Sequence, residues 1–118
     1  MAASHTTSFR FGKVSHFAFM PTRRAPTSNV YDLRCAHDVV IHPYAQAIVP
    51  TDLWITLPNQ TVAIISQCSD WKLTEVLHVQ YTLISAEHTP TLGIIIYNNT
   101  DKRLDIHRSR RIAQIEFR

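Results

Sequence analysis

Apolar residues in this chain fall into short runs divided by turn formers, and no window has the length or period of a long helix. Phe9-Arg10-Phe11 alternates apolar and basic positions. Val14, Phe17 and Phe19 carry the apolar content on toward Pro21, which predicts a first strand. Pro21 to Asn29 holds two prolines among small polar residues and reads as a surface connection, after which Val30-Tyr31-Asp32-Leu33 resumes extended structure. Val39-Val40-Ile41, Ala47-Ile48-Val49 and Leu53-Trp54-Ile55-Thr56-Leu57 are short and rich in β-branched or aromatic side chains, as strands are.

Pro58-Asn59-Gln60 turns the chain into Thr61-Val62-Ala63-Ile64-Ile65, and Val76 to Ile84 alternates in part. Leu92 to Tyr97 is apolar without alternation and ends in Asn98-Asn99-Thr100-Asp101, which predicts a central strand with Ile94 and Ile96 buried. Leu104-Asp105-Ile106 and Ile112 to Phe117 close the chain with clean alternation. One window, Ser69 to Glu75, has a capping serine and room for at most two helical turns. Many short strands at roughly 8–12-residue spacing predict an all-β fold, a sandwich or a distorted barrel. The expected organisation is one domain over residues 1–118, with 1–8 as a flexible lead.

Composition narrows the function classes. No run approaches the ~20 apolar residues of a membrane-spanning helix, and the opening MAASHTTS has no apolar stretch of leader length. The expectation is a soluble intracellular protein, cytoplasmic or nuclear. Cys35 and Cys68 sit in no metal-ligand spacing and read as thiols. The seven histidines show no i, i+4 pair, so no metal site is expected. A net charge of +3 is mild and much of it is local: Lys102, Arg103, Arg108, Arg110 and Arg111 either meet phosphate or guard a strand edge. Trp54 and Trp71 read as core or interface residues rather than stacking platforms, which makes nucleic acid an improbable partner.

Two polar segments inside the apolar stretch Leu57 to Asn98 are the candidate site: Gln67-Cys68-Ser69-Asp70 and Ile84-Ser85-Ala86-Glu87-His88-Thr89. With these go Pro21-Thr22-Arg23, Tyr31-Asp32-Leu33, Val49-Pro50-Thr51, Leu57-Pro58, Asn98 and Arg111-Ile112-Ala113-Gln114. Laid out from Phe9 to Gln114 essentially without gaps, this order resembles the trimeric dUTPase family. The resemblance implies a distorted, jelly-roll-like β-barrel. It also implies a nucleotide site at Asp32, Cys68, Ser69, Asp70, Ser85, His88, Arg111 and Gln114, magnesium if the protein is active, and a homotrimer.

The same residues depart from the family pattern. Cys68 stands where an arginine holds phosphate, and Asp70 where a glycine lets the backbone approach. Ser85 stands at the aspartate that activates the attacking water, and His88 at the tyrosine that packs on the sugar. A serine hydroxyl cannot take a proton from water near neutral pH. The sequence also runs to Arg118 without the family's Gly-rich closing segment. On these grounds the chain resembles the lidless dUTPase-like early-region proteins of adenoviruses. The expectation is a binding or signalling module acting on host-cell partners, without a catalytic residue or cofactor. Magnesium-dependent hydrolysis of dUTP to dUMP and pyrophosphate is the alternative, and a basic nucleic-acid-binding β module the second.

Overall fold

The computed structural model describes residues 9–68, 76–86 and 91–118. Among these, eleven strands form: β1 (Arg10–Lys13), β2 (Thr22–Arg23), β3 (Val30–Arg34), β4 (Val39–Ile41), β5 (Gln46–Thr56), β6 (Val62–Ser66), β7 (Leu77–Val79), β8 (Thr82–Ser85), β9 (Thr91–Asn98), β10 (Leu104–Ile106) and β11 (Arg111–Phe117). They build a four-stranded sheet in the order β1-β5-β9-β7, a five-stranded sheet β2-β3-β11-β6-β8 and a small pair β10-β4. Every pairing is antiparallel. The all-β barrel expected from the spacing of apolar runs is what forms.

Alternation in the two longest strands makes the core. β5 turns Val49, Thr51, Leu53 and Ile55 inward, and β9 turns Leu92, Ile94, Ile96 and Asn98 inward. Leu33, Ile65, Ile112, Ile115 and Phe117 meet them from the five-stranded sheet. Ile94 and Ile96 are fully covered on a central strand, as the apolar run predicts. The two buried polar side chains in this set have partners. Thr51 Oγ1 donates to the Leu92 carbonyl at 2.7 Å, and Asn98 Nδ2 donates to the carbonyls of Ile41, His42 and Lys102 at 3.1, 3.1 and 2.8 Å. Trp54 lies over its cross-strand partner Gly12 so closely that a Cβ there would stand 1.9 Å from the indole.

Three elements differ from the sequence expectation. β1 ends at Lys13, because Ser15 Oγ accepts the Phe17 amide at 3.1 Å and turns the chain, leaving Val14 and Phe17 outside any strand. The two runs 47–49 and 53–57 are one strand, β5, carried through Pro50 by a bulge in which Asp52 has φ 54°. The run 76–84 is broken at Gln80-Tyr81, where the chain leaves β7 in one sheet for β8 in the other. The candidate helical turn Ser69 to Glu75 lies outside the described residues.

Candidate functional site

One face of the five-stranded sheet carries the polar residues of three adjacent strands. On β3, Asp32 and Arg34 point the same way, two positions apart. Asp32 is opposite Gln114 on β11, and Gln114 is opposite Ser66 on β6. The Asp32 carboxylate is nearly covered and held from two sides. Arg24 Nη2 donates to its Oδ1 at 3.1 Å, and Arg111 Nε stands 3.6 Å from its Oδ2. Thr22 of β2 pairs with Asp32, and this brings Arg24, two residues on, to the carboxylate. Gln114 Nε2 donates to Ser66 Oγ at 3.3 Å. Three predicted site residues, Asp32, Arg111 and Gln114, are therefore one cluster.

The other predicted positions behave differently. Cys68 is completely buried in the apolar core, so its side chain faces the barrel interior rather than this polar face. Ser85 is half-buried at the end of β8, opposite Val62. Three strand spacings across the sheet and four residues along it separate Ser85 from Asp32, roughly 20 Å. A single chain does not bring them together. Ser69, Asp70 and His88 lie outside the described residues.

Sequence reading missed Arg24, Arg34 and Ser66 as members of this face. The alternation of β3 and β6 held the signal for Arg34 and Ser66, since each lies two positions from an inward or paired residue. Arg24 could be found only from the pairing of the two-residue strand β2, which has no periodicity of its own.

A second polar knot sits apart, on the four-stranded sheet. Ser15 Oγ donates to Asp52 Oδ2 at 2.6 Å, and His37 Nε2 lies 2.6 Å from the same oxygen. The Ser15 hydroxyl is the largest single cause holding the Asp52 carboxyl below its ordinary range, and the His37 hydrogen bond and charge add to it. Serine and histidine both address the carboxylate rather than each other, so this is no nucleophile and base. Burial pushes the Cys35 thiol up, and its Sγ donates to the His107 carbonyl at 2.8 Å, which marks it as inert packing. Among the described residues no three His, Cys, Asp or Glu side chains gather as a metal cage. The basic residues Arg103 and Arg108 are engaged locally, Arg103 on Asp105 and Arg108 on the Phe17 carbonyl and the Phe19 ring.

Comparison with known proteins bears on the whole chain. A family model for dUTPase matches residues 17–118. The deoxyuridine 5'-triphosphate nucleotidohydrolase of Arabidopsis thaliana is 33% identical over 113 residues, 96% of this chain and 68% of that protein. The enzyme of the same name from Yaba monkey tumor virus (strain VR587) is 32% identical over 105 residues, 89% of this chain and 73% of that protein. The one from Mus musculus is 28% identical over 113 residues, covering 96% and 70%. In fold, the chain superposes with a TM-score of 0.85 on a point mutant of the dUTPase from phage phi11 of S. aureus, a structure describing coordination of a structural Mg(II) ion. Identity there is 22%, over 94% of this chain and 90% of that one. Staphylococcus bacteriophage 80alpha dUTPase gives the same score and identity, covering 94% and 89%.

These matches correct the expectation drawn from Cys68, Ser85 and His88, that the chain is a non-catalytic signalling module of the adenoviral type. Relatives that match along most of its length are nucleotidohydrolases from plants, a virus and a mammal. The physical reason is that altered side chains at Cys68, Asp70, Ser85 and His88 leave the Asp32–Arg111–Gln114 cluster and the scaffold among the described residues in place. By a family match over most of its length and by two relatives more than 30% identical, the chain belongs to the dUTPase family.

Proposed function

We propose that this protein hydrolyses dUTP, taken as its magnesium complex, to dUMP and pyrophosphate. The observation that carries the reading is the Asp32 cluster, in which a covered carboxylate fixes two guanidiniums on the polar face of a chain whose relatives are dUTP nucleotidohydrolases. Guanidinium forks match phosphate oxygens in shape and charge, so this face is suited to the triphosphate. Asp32 has both oxygens directed at arginines, and Glu116, on the same face of β11, is paired with Arg118. Such a donor set fits a magnesium ion carried on the phosphates better than one caged by protein, and the ion's contribution is to offset phosphate charge.

Ser85 is roughly 20 Å from Asp32 within one chain, so a site that uses both is built between copies, and a homotrimer is the assembly inferred. Ile48, Tyr81 and Leu83 expose more than half of their surface, and Gln80, beside Tyr81, donates its amide to the Ile95 carbonyl opposite Ile48. This apolar ground supports burial against a second copy. In that assembly Ser85 presents a hydroxyl that orients the attacking water without accepting its proton. Turnover is therefore expected about 10²–10⁴-fold below that of an enzyme with a carboxylate base at this position. An intracellular setting, cytoplasmic or nuclear, goes with two cysteines held as buried thiols.

The test is pyrophosphate release from dUTP with magnesium, beside dTTP and dCTP, with light scattering for the assembly. Slow release from dUTP alone is expected, and Ser85→Asp raises it. Release no faster than spontaneous hydrolysis, in the parent and in Ser85→Asp, overturns the reading.

A further inference from the structure

We propose that Ser66 is a substrate-holding residue, a hydroxyl set by Gln114 to donate to a phosphate oxygen. The inference rests on the hydrolase reading for its anion, the polyphosphate of a nucleotide. On β6, Ala63 and Ile65 enter the core, so Val62, Ile64 and Ser66 share the outer face of the five-stranded sheet. Val62 and Ile64 are β-branched side chains of the kind a strand favours, and Ser66 is not. Ser66 instead ends a row of polar residues that stand directly opposite one another across four strands: Thr22 on β2, Asp32 on β3, Gln114 on β11 and Ser66 on β6. At ordinary strand spacing the row is roughly 14 Å long.

Gln114 Nε2 donates to Ser66 Oγ at 3.3 Å, and this bond decides what the hydroxyl does. A serine oxygen that accepts one bond keeps its own proton to give, and accepting makes it a better donor. The carboxylates of this face are engaged by arginines, Asp32 by Arg24 and Arg111 and Glu116 by Arg118. Among the described residues the Ser66 proton goes to no acceptor of the chain. The same bond uses one of the two N–H groups of Gln114 and leaves the other, so the pair offers two donors one strand spacing apart. Both side chains are half-buried, where a donor gains more from a ligand than it does in open water. Gln114 lies between Ser66 and Asp32, so these donors carry the polar row from the Asp32 cluster onto β6. Oxygens that only accept, as those of phosphate do, match them.

The experiment measures binding of inorganic tripolyphosphate by calorimetry to the full chain and to Ser66→Ala and Ser66→Thr, with deoxyuridine as a second probe and KM and kcat for magnesium dUTP alongside. Ser66→Ala is expected to weaken tripolyphosphate binding about tenfold and to raise KM more than it lowers kcat. Ser66→Thr keeps the hydroxyl on a side chain that strands favour, and recovers most of the binding. A second measurement needs no variant: the side-chain amide N–H resonances of Gln114 shift when tripolyphosphate is added to the parent protein. Four results overturn the inference: no tripolyphosphate binding by the parent, binding by Ser66→Ala within about twofold of the parent, equal losses in Ser66→Ala and Ser66→Thr, or Gln114 resonances unmoved at saturation. A loss seen with deoxyuridine alone also overturns it, by moving the hydroxyl to the nucleoside. Failure to hydrolyse dUTP with Ser66-dependent tripolyphosphate binding intact overturns the proposed activity and leaves the Ser66 assignment standing.

Discussion

Asp32 and Asp52 are both carboxylates held on two sides, one in each large sheet, and their partners set them apart. Asp32 lies in the regular part of β3 between Arg24 and Arg111, groups that carry charge at every accessible pH. Asp52 lies in the bulge of β5, in the left-handed region, with a serine hydroxyl and a histidine ring on one oxygen. The first arrangement spaces two cations on the polar face of the five-stranded sheet. The second fastens the 14–20 loop, since the Asp52 carbonyl also accepts the Val14 amide at 2.8 Å. The proposed reading makes the carboxylate paired with permanent charges a binding one, and the carboxylate paired with the neighbouring loop an architectural one.

The largest expected contrast is in turnover. Asp32→Ala removes the spacer between Arg24 and Arg111, and misplaced phosphate-holding groups cost about 10²-fold. Asp52→Ala, in the other sheet, leaves kcat/KM within about threefold. Steady-state pyrophosphate release from dUTP reads both. Equal losses would erase the distinction between a binding carboxylate and an architectural one.

The two residues also differ in how far the sequence discloses them. Asp32 stands in Tyr31-Asp32-Leu33 within a recognisable order of motifs, and alternation puts it on the same face as Arg34. Asp52 sits between two apolar runs that read as separate strands, so its place in a bulge is invisible until Val49 is seen paired with Ile94 and Trp54 with Thr91. The core was legible in part: the unbroken apolar run Leu92 to Tyr97 gave Ile94 and Ile96, whereas Ile112 and Ile115, three positions apart, are both buried because the register shifts between Arg111 and Ala113. Cys68 was misleading, because motif order assigns a position without assigning the direction of its side chain. Function was misread from the altered side chains at Cys68 and Ser85, whereas the Arg24–Asp32 contact depends on a two-residue strand that no pattern announces.

A medium-sized contrast lies in stability. Asp52→Ala removes two side-chain bonds and places a β-carbon at φ 54° without the local hydrogen bonding that lets aspartate tolerate it, a loss of about 2 kcal/mol. Asp52→Asn keeps an acceptor for Ser15 and tolerates the same backbone, so less than about 1 kcal/mol is expected. Urea unfolding of the two variants measures the difference. An Asn variant as damaged as the Ala variant would show that charge, rather than backbone geometry, governs the bulge.

The smallest effect concerns pH. The Asp52 carboxyl is lowered first by the Ser15 hydroxyl, against the opposing effect of burial, and then by His37 through its hydrogen bond and charge. A carboxyl lowered on folding stabilises the protein above its unfolded value, and that contribution fades as pH falls through the folded value. The pH window is therefore acidic, from the ordinary carboxylate range of about 4 downward. Ser15→Ala removes the largest cause, so the Asp52 carboxyl rises toward that range and part of the acid-side loss of stability disappears. A carboxyl-carbon NMR titration of Asp52 in the parent and in Ser15→Ala reads the shift directly, and thermal melts across the same acidic range read its consequence. His37→Ala is expected to move the resonance less than Ser15→Ala does. If the order is reversed, the knot is an ion pair like the one at Asp32, and the contrast between a fastener and a charge-spacing carboxylate fails at its second member.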